Sequence, residues 1–159
     1  MPAPSPPDAG RLESPCRLCR SVSGVRTPTG WVCAVCGWRV GEYLDPGLPM
    51  PRIDVVYYVR LRAGGSGGGA EGDRVKIGTT FNPRQRFGAL TYDDVLAFEL
   101  GDRAVEQRRH AQFADARLGT SEWFALTPPL REHILALADG RDPWHVHARW
   151  LAEALIRRG

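Results

Sequence analysis

Four cysteines are the side chains whose spacing points most directly to chemistry. Two residues separate Cys16 from Cys19, two separate Cys33 from Cys36, and thirteen lie between the pairs. A Cys-x2-Cys turn brings both sulfurs to one ion, and two such turns complete the tetrahedron of a structural zinc site. Gly24, Pro28 and Gly30 suit a short β excursion between the pairs, and Gly37 puts a small residue after the last ligand. A redox Cys-x-x-Cys opens a helix in a βαβ setting, and neither pair has one. Four thiolates saturate the ion, so the Zn²⁺ is structural rather than catalytic. A module this short buries little surface, and the metal supplies most of its folding energy. Arg17, Arg20, Arg26 and Arg39 surround the site. They read as contacts for nucleic acid or a protein partner, or as ordinary solvated charge.

The rest of the chain must position any second site. A length of 159 residues allows a small module plus one compact domain. The net charge of +3 permits nucleic-acid binding without arguing for it. Lys76 is the only lysine. Arginine is the planar partner of phosphate, although a GC-rich genome produces the same bias. No apolar run approaches the ~20 residues that cross a bilayer, and Met1 to Gly10 is not a secretory signal. A cytoplasmic protein with no membrane partner is expected, with its cysteines as metal ligands rather than disulfides. The order expected is a disordered, proline-rich tail over 1–14, the zinc module over 15–41 and a proline-rich linker over 42–52.

From Ile53 the character changes. Residues 53–61 are β-branched and aromatic and read as a strand. Gly64 to Gly72 follows, and then a second short strand over 74–78. The glycine run lacks the Gly-Lys-Ser/Thr ending of a phosphate loop and is followed by a strand, so it reads as a flexible hairpin loop. Asn82 caps a helix that opens at Pro83 and runs to about Leu90. Residues 95–100 form a third strand, and Asp102 caps a helix from Arg103 to about Leu118, stopped by Gly119. Residues 122–126 are a short apolar segment. Two further helices follow, over 129–139 and after Pro143, and both are expected to pack on the second domain as 128–159. His133, His145 and His147 carry no motif.

Read in order, Val56-Tyr57, Lys76-Ile77-Gly78-Thr79-Thr80, Arg86, Glu106, His110 and Glu122-Trp123-Phe124 resemble the GIY-YIG nuclease superfamily, in its phage-type T5orf172/Mug113-like branch. The resemblance covers about residues 53–127. It implies an α+β fold, a small, mainly antiparallel sheet flanked by helices. It also implies a metal-dependent endonuclease acting on DNA. Tyr57, Lys76, Arg86, Glu106 and His110 match the catalytic positions, with Lys76 where the second motif has tyrosine. Gly78 matches the motif glycine. Thr80, Glu122 and Trp123 fall on the substrate-binding side of the pattern. The glycine of the first motif is missing, since Asp54-Val55 stands there.

Phosphodiester hydrolysis needs an activated water, neutralised phosphate charge and help for the leaving oxygen. Glu106 could hold one Mg²⁺ or Mn²⁺, a hard cation that needs few protein carboxylates. Arg86 could grip a phosphate oxygen, Tyr57 could relay a proton, and Lys76 could act as a positive charge or proton partner. His110 lies one turn after Glu106 and could touch nucleic acid or assist proton transfer. Tyr57, Lys76 and Arg86 are expected to converge on one phosphate that Glu106 also reaches, and placement of Tyr57, Arg86 and Glu106 on different sides of the domain would favour a binding module. Two other functions fit the same residues: a nucleic-acid-binding protein that keeps the fold without activity, and an adaptor that docks a protein through its zinc module.

Overall fold

The computed structural model describes residues 8–64 and 72–158. The chain forms two units, one from Arg52 to Pro143 and the other from the residues up to Pro51 together with those from Trp144 onward. Residues 1–7 of the expected tail and 65–71 of the glycine-rich loop lie outside the described residues.

In the first unit β1 (Ala9–Arg11), β2 (Ser23–Thr27) and β3 (Gly30–Cys33) make an antiparallel sheet in the order β1-β2-β3. The β2–β3 hairpin is the expected excursion between the cysteine pairs. β1 was not expected. It pairs Ala9 with Val25 and Arg11 with Ser23, and Leu12 behind it is buried. The module therefore starts inside the stretch expected to be a tail. The last helix, α4 (Pro143–Arg158), also departs from expectation. Its Ala148 and Ala152 are buried in one cluster with Leu12, Cys16, Cys33, Cys36 and Trp38, so it belongs with the cysteines and not with residues 52–143. The reason is local. Alanines four apart form a smooth stripe that lets the backbone approach the cysteine turns closely. Arg149 and Arg158 donate to the carbonyls of Val35 and Pro49 in the same unit.

The second unit is α+β. Its sheet runs β6-β4-β5-β7, all antiparallel, from β4 (Val55–Leu61), β5 (Arg74–Thr80), β6 (Asp94–Leu100) and β7 (Trp123–Ala125). β4 is central and almost wholly buried from Val55 to Val59, which explains its unbroken β-branched and aromatic run. On one face Val56, Tyr58, Val75, Ile77, Ala97 and Phe124 pack with Phe113, just after α2 (Arg103–Gln112), and with Leu130 and Ile134 of α3 (Pro128–Ala138). On the other, Tyr57 meets Phe87 of α1 (Pro83–Gly88) edge-on at 5.2 Å, and Phe87 stacks on Phe98. Asn82 caps α1 as expected, accepting from the Gln85 N–H. α2 is shorter than expected and gives way to a 3₁₀ turn, Ala114–Ala116. That turn sets Phe113 and Ala116, three apart, on the same side and into the core.

A polar group is buried in the α2–α3 face. The Tyr58 hydroxyl donates to Glu99 at 2.8 Å and lies 3.1 Å from His133 Nε2, while Arg109 grips both Glu99 oxygens. Burial raises the Glu99 carboxyl, but hydrogen bonds from Arg109 and Tyr58 outweigh it and hold the pKa below the ordinary value of 4.5. Burial, with the Arg109 charge, holds His133 below its usual range, and burial beside Glu99 pushes Tyr58 up. Glu99→Gln is expected to cost about 1.5–3 kcal/mol of stability at neutral pH, the scale of a hydrogen bond to a charged group. A pKa lowered on folding stabilises above the unfolded value, and the effect is lost as pH falls through the folded one. Denaturant unfolding between pH 7 and pH 3 tests this. The parent and Glu99→Gln should converge at the acid end, and a constant gap would show that Glu99 does not carry the effect.

Candidate functional site

The four cysteine sulfurs lie within 4.8 Å of one another. Cys16 faces Cys36 at 3.6 Å and Cys19 faces Cys33 at 3.5 Å. Sulfurs on a tetrahedron with bonds of about 2.3 Å stand about 3.8 Å apart, so zinc fits this cluster with little adjustment. The turns aim backbone N–H groups at the sulfurs: Ser21 at Cys19, Val35 and Cys36 at Cys33, and Trp38 at Cys36. Burial pushes the Cys19 thiol up to about 11 and the Cys36 thiol higher still. Against the same burial, the N–H groups of Cys36 and Val35 bring Cys33 below its ordinary value. Four thiolates in so small a space would need a cation among them, and the cluster could hold a metal ion such as zinc. Zinc there would lock the two turns and support the cluster that α4 completes.

In the second unit the sequence-expected residues form three groups around β5. Tyr57 pairs in register with Gly78, and a Cβ on Gly78 would stand 2.3 Å from the Tyr57 hydroxyl oxygen. Gly78 is thus the floor under the Tyr57 ring. Across that floor the hydroxyl accepts a hydrogen bond from Arg86 Nε at 3.3 Å, and this bond raises the Arg86 pKa. The same α1-side face carries Lys76, whose ammonium is 3.2 Å from Glu122 and 6.0 Å from the Trp123 ring centre. Glu122 and Trp123 therefore hold Lys76. Thr80 accepts from the Asn82 N–H at 3.0 Å and shapes the turn into α1.

The third group stands on the opposite face. Thr79 follows Gly78, and side chains alternate along a strand. Its hydroxyl donates to Glu106 Oε2. His110 Nε2 lies 2.9 Å from the Ile77 carbonyl and 3.8 Å from Glu106 Oε1. A carbonyl only accepts, so Nε2 carries the proton and donates it to Ile77. His110 therefore ties α2 to β5, and that nitrogen is no proton acceptor. The expected convergence is thus only partial. Tyr57 joins Arg86 and Glu106 joins His110, but the two pairs leave β5 on opposite faces. They flank one peptide, Gly78–Thr79, whose Cα atoms are ~3.8 Å apart. Beside it the β5–β7 pairing has ended at Lys76.

Glu106 differs in one respect from Glu99, the other partly buried glutamate beside α2. Glu99 and Glu106 side chains are each 12% exposed. Glu99 has the Arg109 guanidinium, whereas among the described residues no lysine or arginine pairs with Glu106. Thr79 was missed in the sequence, as was the Tyr58–Glu99–Arg109–His133 group. Strand parity was the available signal for Thr79, since it shares a face with Ile77. A cavity of about 620 Å³ bounded by Leu126, Pro128, Arg131 and Leu135 holds none of these residues. No helix among the described residues is long and apolar enough to cross a membrane. Comparison of the chain with protein-family models, curated proteins and solved structures found no match.

Protein purified without chelator is expected to contain about one zinc per chain by elemental analysis. Cys33→Ser should speed amide exchange over 9–44 and over α4, and leave β4 to β6 protected. Protection of α4 equal to that of the parent would show that the helix does not depend on the cysteine cluster.

Proposed function

We propose that residues 52–143 form a divalent-metal-dependent nuclease that hydrolyses DNA phosphodiester bonds, and that the cysteine unit is a zinc-stabilised accessory module. The observation that carries this reading is Glu106, which has the Thr79 hydroxyl and His110 beside it but, among the described residues, no lysine or arginine partner. A carboxylate withdrawn this far from water is favoured by a cationic side chain or a metal ion beside it. Glu99 has the first, and Glu106 is suited to the second. One carboxylate is enough for Mg²⁺ or Mn²⁺, which keeps most of its waters. The ion would supply charge neutralisation and a water of lowered pKa.

The side chains on the other face suit the remaining needs. Arg86 is exposed and charged, so it can bind a phosphate oxygen. Tyr57 accepts from Arg86, which leaves its own proton to be given to a departing oxygen. Lys76 adds positive charge, tempered by Glu122. A phosphate at the Gly78–Thr79 edge would have Arg86 and Tyr57 on one side and Glu106 on the other.

A second reading, DNA binding without cleavage, is favoured by two observations. Tyr57 is only 1% exposed, and Lys76 is already engaged by Glu122. Nicking of supercoiled plasmid separates the two. The nuclease reading predicts nicking that requires Mg²⁺ or Mn²⁺ and stops with chelator. It also predicts that Glu106→Gln lowers the rate by at least about a hundredfold, or roughly 3 kcal/mol of barrier, while DNA binding persists. Salt-sensitive binding with no nicking would establish the second reading.

A further inference from the structure

The two oxygens of Glu106 are not equivalent. Oε2 accepts a hydrogen bond from the Thr79 hydroxyl. Oε1 faces His110 Nε2 at 3.8 Å, too far for a hydrogen bond, and that nitrogen's proton is committed to the Ile77 carbonyl. One oxygen is held, and among the described residues the other accepts no hydrogen bond. Thr79 and Ile77 lie two apart on β5 and so share a face. Through them the strand fixes both the α2 backbone, by His110, and the rotation of the carboxylate, by Thr79.

We propose that Thr79 is a positioning residue that turns Glu106 so that Oε1 is the oxygen presented to a divalent cation. This rests on the reading of Glu106 as a cation ligand and deepens it. A carboxylate with a free torsion samples many orientations, and a single charge-assisted hydrogen bond selects one. A hydroxyl does this without competing for the metal, since it adds no charge. A lysine or arginine at the same place would neutralise the carboxylate and weaken its hold on a cation. Thr79 is partly exposed, at the same strand edge as Gly78, so the oriented oxygen lies beside the peptide that Tyr57 and Arg86 flank.

Thr79→Val keeps the shape and removes the hydroxyl, and Thr79→Ser keeps the hydroxyl. Mn²⁺ binding to the full, zinc-loaded chain, followed by electron paramagnetic resonance, measures the effect directly without DNA or turnover. Removing a hydrogen-bonding partner of a metal-ligating carboxylate typically weakens metal affinity about 10- to 100-fold. Thr79→Val should weaken Mn²⁺ binding by that factor, with the parent's melting temperature, and Thr79→Ser should restore most of it. Equal Mn²⁺ affinity in Thr79→Val and the parent would overturn the assignment while leaving Glu106 as a ligand. So would a Thr79→Ser protein no better than Thr79→Val, or a loss of affinity matched by a loss of folding in both variants. A parent that binds no Mn²⁺ beyond what Glu106→Gln binds would remove the cation reading itself.

Discussion

The ring of Tyr57 crosses β5 at Gly78, where no side chain obstructs it, and delivers its hydroxyl to Arg86 on α1. The antiparallel register of β4 on β5 sets that crossing, because it places Tyr57 opposite Gly78. A shift of one residue would put Tyr57 opposite Thr79 or Ile77 and send its ring to the other face of the sheet. The same register places Tyr58 beneath α2 and α3, where it bonds to Glu99. Two adjacent tyrosines thus serve different ends. One lies under α1 with an exposed arginine, and the other is locked in a buried ion-pair group. The burial of β4 makes the register costly to change, since it would move five fully buried side chains at once.

Electrostatics separates the two faces further. On the α2–α3 face Glu99 is fully matched by Arg109 and Tyr58, and such a saturated group fixes packing. On α2, by contrast, Glu106 has only a hydroxyl and a histidine whose proton is directed elsewhere. The contrast is informative because the two carboxylates are equally buried. In the cysteine unit the four sulfurs are crowded, Cys16, Cys33 and Cys36 are buried, and N–H groups point towards Cys19, Cys33 and Cys36. Among the described residues the four-cysteine cluster is the group of side chains that could hold a metal ion such as zinc.

Much of this arrangement is legible in the sequence, for identifiable reasons. The cysteine spacing is nearly sufficient because a metal imposes its own geometry. The Asn82-Pro83 cap and the strands at Val55, Arg74 and Asp94 follow from local preferences. Other features needed tertiary information. α2 ends at Gln112 rather than at Gly119 because the core pulls Phe113 and Ala116 inward together. α4 joins the cysteine cluster through two alanines, whereas its larger apolar residues gave no hint of that partner. Thr79 and Thr80 look interchangeable in sequence, yet strand parity sends one to Glu106 and leaves the other to shape a turn. The resemblance in motif order is carried by side chains on two faces of β5, which one-dimensional spacing cannot distinguish.

If these two faces act on one phosphate at the Gly78–Thr79 edge, Arg86 and Glu106 serve the same transition state. A double-mutant cycle on single-turnover plasmid nicking, with Arg86→Ala, Glu106→Gln and the pair, tests it most directly. Groups that act as a unit on one transition state lose far less together than the product of their separate losses. With a shared phosphate, the double variant is expected to nick within a few-fold of the slower single variant. Losses that multiply in full would show that Arg86 and Glu106 act independently, and would contradict a shared phosphate.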